Sequence, residues 1–172
     1  RAIAIGVQGL ADVFFLMDYV FTSEEAKNLN KRIFETIYFA AISESNELCK
    51  IGEYKPYKHF KGSPMSKGIF QFDMWGVDPN ELMWDWDSLK ENVKTYGVCN
   101  SLFTAQMPVA SSAKITGSYE MTEVIPSNLF NRRVVGGEFL IANRYLIEDF
   151  EDLGIWSEQF KNEIIMNEGS IQ

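Results

Sequence analysis

Val98-Cys99-Asn100-Ser101-Leu102-Phe103-Thr104-Ala105-Gln106-Met107-Pro108-Val109-Ala110-Ser111-Ser112-Ala113-Lys114-Ile115 is the stretch from which the rest of the chain is read. The apolar run that ends at Gln106-Met107-Pro108 predicts a strand, and Val109 onward predicts a helix start, so a strand delivers its end into a helix N-terminus. The first N–H groups of a helix lack internal acceptors and sit at the positive end of its dipole, which suits an anion such as a phosphate. Ser111 and Ser112 add two hydroxyls there. Pro and Ser favour helix starts for capping reasons too, so an ordinary capped helix entry is the alternative reading of the same residues.

Working outward, Asp85 or Asp87 is placed to cap a helix through Leu89, Val93 and Tyr96 that Gly97 would end. Ile69 to Met74 is expected to be extended, Ser63-Pro64 to open a short helical piece ending at Gly68, and Tyr54 to Lys61 to form a surface loop carrying the lone His59. His59 has no nucleophile or ligand partner near it in sequence, so it is read as a surface side chain. Apolar residues at Ala26, Leu29, Ile33, Phe34, Ile37, Tyr38, Ala41 and Leu48 recur at three and four, predicting one long helix ending near Gly52. Thr22-Ser23-Glu24-Glu25 is its capping box, with Thr22 as cap and Glu25 reaching back. Ile5 to Met17, with Gly6 and Gly9 three apart, is expected to be a helix packed closely on a neighbour.

Beyond the central stretch, residues 117–128 are rich in Gly, Ser, Glu, Thr and Pro and predict a loop. Leu129 to Val135 and Phe139 to Ile141 predict short extended pieces around Gly136-Gly137, and Tyr145 to Asp152 and Ser157 to Met166 two helices separated by Gly154. No internal repeat or dividing linker occurs. Helices with few strands indicate an α/β protein whose strands are too few to close a barrel alone.

Composition bounds the function classes. With 172 residues, 46% hydrophobic and 14% aromatic, a sizeable core is expected. The longest apolar stretches, such as Val13 to Met17, fall far short of the ~20 residues that span a bilayer, so no membrane partner is expected. A formal charge of −8 opposes wrapping nucleic acid, although a nucleotide needs only a local pocket of donors. The acidic run Glu148-Asp149-Phe150-Glu151-Asp152 reads as a solvated helix face. Cys49 and Cys99 lack metal-ligand spacing and read as structural thiols of a reducing compartment. With no basic-and-apolar leader at Arg1, a cytoplasmic location is expected.

Trp86, Leu89, Gly97, Val98, Asn100, Thr104, Ala105 and Pro108 fall at the spacing of a known signature, which resembles that of the ribonucleotide reductase large subunit. Arg1-Ala2-Ile3-Ala4-Ile5-Gly6-Val7-Gln8-Gly9-Leu10-Ala11-Asp12 and Gly62-Ser63-Pro64-Met65-Ser66-Lys67-Gly68-Ile69 are similar to other stretches of that family. Asn131-Arg132-Arg133-Val134 with Gly137-Glu138-Phe139 resembles the eukaryotic and viral class I type. Two departures stand out: Cys99 occupies a place where the family more often carries Arg or an aromatic, and Val109 one where relatives often have Thr or Ser, which removes a hydroxyl contact.

The resemblance implies that residues 1–172 are a partial catalytic barrel domain, the later part of a ten-stranded α/β barrel and a piece of a longer polypeptide of roughly 90 kDa, well above single-domain size. It implies reduction of ribonucleoside diphosphates to deoxyribonucleotides by thiyl-radical chemistry. Pro108, Val109, Ala110, Ser111 and Ser112 would form the loop and helix start that hold the substrate diphosphate. The radical and redox cysteines and the Asn and Glu of the finger loop would lie upstream, and the relay tyrosines and C-terminal thiol pair downstream. No catalytic residue and no metal ligand is therefore assigned here. The expected partners are the remainder of the large subunit, a second large subunit, and a small subunit carrying a metal/tyrosyl radical. A thioredoxin- or glutaredoxin-type reductant and ATP- or dATP-type effectors complete the set, and no cofactor is expected on this segment itself. The alternative is a catalytically inactive large-subunit homologue that serves as an interaction scaffold.

Overall fold

The computed structural model describes residues 1–120, 122–125 and 127–171; Met121 and Pro126, both within the expected 117–128 loop, and Gln172 lie outside the described residues. The long helix α2, Glu24–Lys50, is the backbone of the fold. Its cap is Ser23, whose Oγ accepts the Ala26 N–H at 3.2 Å, one residue later than the expected Thr22. A hydroxyl at the last extended residue faces the third N–H of the helix, and Ser23, at φ −69° and ψ 161°, has that backbone. Gly52, at φ +79°, follows the last turn.

Helix α4, Trp86–Tyr96, packs across α2. It is capped by Asp85, which accepts the Ser88 N–H at 3.0 Å. Gly97 closes it at φ +78° and ψ −171°, a conformation open only to glycine, and a Cβ there would lie 2.6 Å from Pro56 Cγ. Between the two helices lies the main core, built on Ala41, Ile42, Phe70, Phe72, Trp86, Leu89, Val93, Val98 and Phe103. Trp86 is its hub, with ring centroids 4.6 Å from Phe72, 5.0 Å from Phe39 and 5.7 Å from Tyr38. Each fully buried side chain of this size contributes about 1.5–3 kcal/mol by leaving water. A polar clamp supplements it: Glu35 Oε1 accepts the Met83 N–H at 2.6 Å, the Trp84 N–H at 3.1 Å and the Trp86 Nε1–H at 2.9 Å.

Two segments differ from expectation. Ile69 to Met74 is not extended: Gln71–Met74 forms a short helix, α3, because the Asp73 carboxylate turns back to accept the Phe70 N–H at 2.7 Å and Lys90 holds it from α4 at 2.6 Å. Nor is Ile5 to Met17 one helix. Only Leu10–Leu16 is helical (α1), and the preceding residues run extended beside Ser101 to Ala105. In that parallel pairing the Ile3 N–H donates to Leu102 O at 3.1 Å, Ile5 N–H to Phe103 O at 2.9 Å and Ala105 N–H to Ile5 O at 3.0 Å. The expected 98–105 strand is thus extended and paired over a short length, with one isolated bridge, Ile5 to Thr104.

Helix α5, Ala110–Thr116, follows. Strands β1, Leu129–Val134, and β2, Gly137–Ala142, then form an antiparallel hairpin whose turn lies at Val135-Gly136, one residue before the expected Gly136-Gly137. Helices α6, Arg144–Asp152, and α7, Glu158–Met166, follow it. Among the described residues this hairpin is the one regular sheet, so the α/β layout is open and no barrel closes within them. The openness leaves large apolar side chains facing outward, including Trp75 at 73% and Ile115 at 87% exposure. No helix among the described residues is long and apolar enough to cross a membrane.

Candidate functional site

The extended run ends at Ala105, and the chain turns through Gln106, Met107 and Pro108 into α5. The cap position is Val109, which has no side-chain acceptor to offer, whereas α2, α4 and α7 are capped by Ser23, Asp85 and Ser157. The Ala110 N–H turns back to Pro108 O at 2.8 Å, and the Ala113 N–H takes Val109 O at 2.9 Å. Among the described residues the N–H groups of Ser111 and Ser112 have no acceptor, and both side chains are exposed. Of the five residues singled out from sequence, Pro108 has no N–H and Ala110 has already used its own. The open donors are therefore the Val109 N–H and the N–H groups and hydroxyls of Ser111 and Ser112.

Helix α5 is held at one buried point along its length, Ala113, at 1% exposure. Its ends are gripped by the segment before α1. At the entry, Gly6 passes so close to the Ala105 carbonyl that a Cβ would sit 2.6 Å from the oxygen. The two glycines do mark a close approach, but of extended backbone and a left-handed turn (Gly9, φ +79°) rather than of a helix. At the exit, Gly117 ends α5 at φ +71°, the Ser118 N–H returns to Ala113 O at 2.9 Å, and Gln8 Nε2 donates to Thr116 Oγ1 at 2.9 Å. The Gly9 N–H donates to Tyr119 O at 2.9 Å while the Tyr119 N–H donates to Asp12 Oδ2 at 2.7 Å.

Asp12 is buried in the first turn of α1, and its other oxygen accepts from Arg144 Nη2 at 2.9 Å and the Tyr145 hydroxyl at 2.8 Å. Burial pushes the Tyr145 and Tyr119 phenols above their usual range, with the Asp12 charge adding to both. The hydrogen bond to Tyr145 holds the Arg144 guanidinium more firmly charged. This cluster escaped the reading of the sequence. Its one legible sign is a carboxylate inside the apolar run Gly9-Leu10-Ala11-Asp12-Val13-Phe14, where burial demands partners.

Beside the turn, Thr104, Ala105 and Gln106 form part of the wall of an open, mostly apolar cleft of about 790 Å³ that also touches Phe14, Phe34, Phe72 and Trp86. Cys99 lies apart from it, buried, with its thiol 3.3 Å from Ser45 Oγ and 3.1 Å from Asn100 Oδ1. Cys49 is half-buried, and desolvation first, then the neighbouring Cys99, raises its pKa. His59 is exposed on its loop. Among the described residues no three His, Cys, Asp or Glu side chains are grouped to hold a metal ion.

Residues 1–172 in full match the family described as "ribonucleotide reductase, barrel domain". The chain is 52% identical over 172 residues to the ribonucleoside-diphosphate reductase large subunit of Danio rerio, covering all of this chain and 21% of that protein. It is 50% identical to the ribonucleoside-diphosphate reductase large chain 2 of Saccharomyces cerevisiae and 47% identical to the large subunit of Monkeypox virus, over 19% and 22% of those proteins. The chain thus spans about a fifth of the length of the curated relatives it matches. A solved structure, the Actinobacillus ureae class Id ribonucleotide reductase alpha subunit, superposes on all of this chain and 25% of that one with a TM-score of 0.64 at 23% identity, a likeness of fold.

Proposed function

The chain belongs to the ribonucleotide reductase barrel-domain family, and from that premise we propose that residues 1–172 are part of the catalytic barrel of a class I ribonucleoside-diphosphate reductase large subunit. The barrel is one of ten strands, to which the pairing of Arg1 to Ile5 with Ser101 to Ala105 contributes. The reaction is the radical reduction of ribonucleoside diphosphates to deoxyribonucleotides. This segment contributes binding rather than bond-making: Pro108 to Ser112 carry the diphosphate, with Ser111 and Ser112 as the donors and Val109 supplying backbone alone. Holding the diphosphate away from the reacting ribose turns binding energy into orientation of the sugar. The large subunit works with a small radical-carrying subunit, a second large subunit, a dithiol-protein reductant and nucleotide effectors, in the cytoplasm.

The observation that carries the phosphate assignment is the pair of unmatched N–H groups and exposed hydroxyls of Ser111 and Ser112, at the turn where the resemblance places the diphosphate. The test is the Ser111→Ala/Ser112→Ala double variant of the complete large subunit. A hydrogen bond to a charged oxygen is worth about 1.5–3 kcal/mol, so losing the hydroxyls while keeping the N–H groups should raise KM for diphosphates about tenfold or more, with kcat changed less. An unchanged KM removes these hydroxyls from the site.

A further inference from the structure

Asp12 stands about a hundred residues from α5 in sequence, yet its carboxylate grips the chain just beyond the exit of that helix. Its carboxylate takes the N–H of Tyr119 while Gly9 supplies an N–H to the carbonyl of the same residue, so the peptide that leaves α5 is held from both sides. Arg144 and Tyr145 occupy the other carboxylate oxygen and tie this grip to the start of α6. Besides that grip, the Gln8 bond to Thr116 holds the exit and the pairing of Ala105 with Ile5 holds the chain before the entry, while along its length Ala113 is the one buried side chain and Ile115 points outward. A short helix pinned at its exit behaves as a lever. From Tyr119 back to Ser111 is roughly 12 Å at about 1.5 Å per residue, so a swing of about 5° at the pin moves the serine end by about 1 Å. A displacement of that size in a binding constellation is enough to cost up to about a hundredfold.

We propose that Asp12 is a positioning residue of the diphosphate site, acting through the backbone of Tyr119 on the placement of Ser111 and Ser112. The inference rests on the phosphate reading above and adds to it a residue that contacts no substrate.

Its test is the Asp12→Asn variant of the complete large subunit, compared with Ser111→Ala/Ser112→Ala and with the combination of the two, reading the Kd of CDP and of cytidine. An amide in place of the carboxylate cannot accept from Tyr119, Arg144 and Tyr145 together, because one of its two termini is a donor. The expected result is a Kd for CDP raised about tenfold with the Kd for cytidine within twofold of wild type. The combined variant is expected to weaken CDP by less than the product of the separate effects, since a displaced helix no longer presents its hydroxyls. A merely structural role would weaken CDP and cytidine alike, and that result overturns the proposal. So does unchanged CDP binding in Asp12→Asn while the serine variant is weakened, an outcome that leaves the phosphate site standing. Unchanged CDP binding in both variants overturns the phosphate reading and the proposal together. Should Asp12→Asn prevent assembly, Tyr145→Phe removes one donor from the same carboxylate; a Kd for CDP raised about threefold with cytidine unchanged supports the proposal, and no change overturns it.

Discussion

Glu35→Ala removes one carboxylate from the middle of α2 and with it three hydrogen bonds that converge on a single oxygen. The consequences are unequal. The N–H groups of Met83 and Trp84 lie at exposed positions and recover water, losing about 0.5–1 kcal/mol each. The indole of Trp86 is 4% exposed and packed on Phe72 and Phe39, so its Nε1–H is left without an acceptor at a cost of about 1–3 kcal/mol. The sum is about 3 kcal/mol, or about a hundredfold in the equilibrium constant for opening the Met83 to Val93 segment. Hydrogen exchange on the complete large subunit, read at the amides of α4, reports that opening. Exchange about a hundredfold faster in α4, with β1 and β2 unaffected, is expected. Glu35→Gln keeps an acceptor and should accelerate exchange less than tenfold. A change below threefold in the alanine variant, or equal effects of alanine and glutamine, would refute the account of how the Met83-Trp84-Asp85-Trp86 turn is fastened to α2.

Gly97→Ala meets both a backbone conformation reserved for glycine and the ring of Pro56, and should destabilise the end of α4 by more than about 2 kcal/mol, seen as lost protection at Val93 to Val98. Gly6→Ala drives a methyl against the Ala105 carbonyl, so it should break the Arg1 to Ile5 pairing and raise KM for diphosphates along with it; a variant of unaltered KM would show that the entry to α5 is not set there. The Cys49 thiol is pushed above its ordinary value of 9.0, so folding favours the protonated form: that contribution is complete below pH 9 and lost as pH rises through the folded-state value. Alkylation of Cys49 at pH 7.5 should accordingly be slower than that of an unhindered thiol, rise about tenfold per pH unit, and level off only above pH 9. Residues 1–172 expressed alone should aggregate, given outward-facing Trp75, Ile115, Leu16 and Met166; a monodisperse, cooperatively melting species in size-exclusion chromatography and calorimetry would contradict this.

What could be read from the residues was local. The stripe on α2, the Asp85 cap and Gly97 stop of α4, and the glycine hairpin turn each depend on neighbours within a few positions, and each element lies close to where its pattern placed it, the turn at Val135-Gly136 one residue earlier than expected. The misread segments depend on distant partners. Ile5 to Gly9 is apolar enough for a helix, but the acceptors at Leu102 and Phe103 draw its N–H groups into pairing. Ile69 to Met74 alternates like a strand, and Asp73, fixed by Lys90, bends it into a turn of helix. Likewise the serine donors were visible because they are consecutive, whereas the grip of Asp12 on Tyr119 and Arg144 joins positions 107 and 132 residues apart. Spacing along the chain carries no trace of that.

The parallel pairing of Arg1 to Ile5 with Ser101 to Ala105 also orders events in time. Its strands are about a hundred residues apart, and closing such a loop in an open chain costs about 4 kcal/mol before the first of a handful of hydrogen bonds is returned. The packing of α2 on α4 bridges about half that separation, as in Asn46 to Asn92 and Glu35 to Trp86, and buries aromatic surface at once, so it is expected to precede the pairing, with Phe103 resting on Tyr38. The Arg1 to Ile5 strand is therefore expected to dock after this platform has formed. The turn proposed to hold the diphosphate would then take its geometry only after that step, so a trapped species without the strand is expected to keep most of its core and lose that proposed affinity.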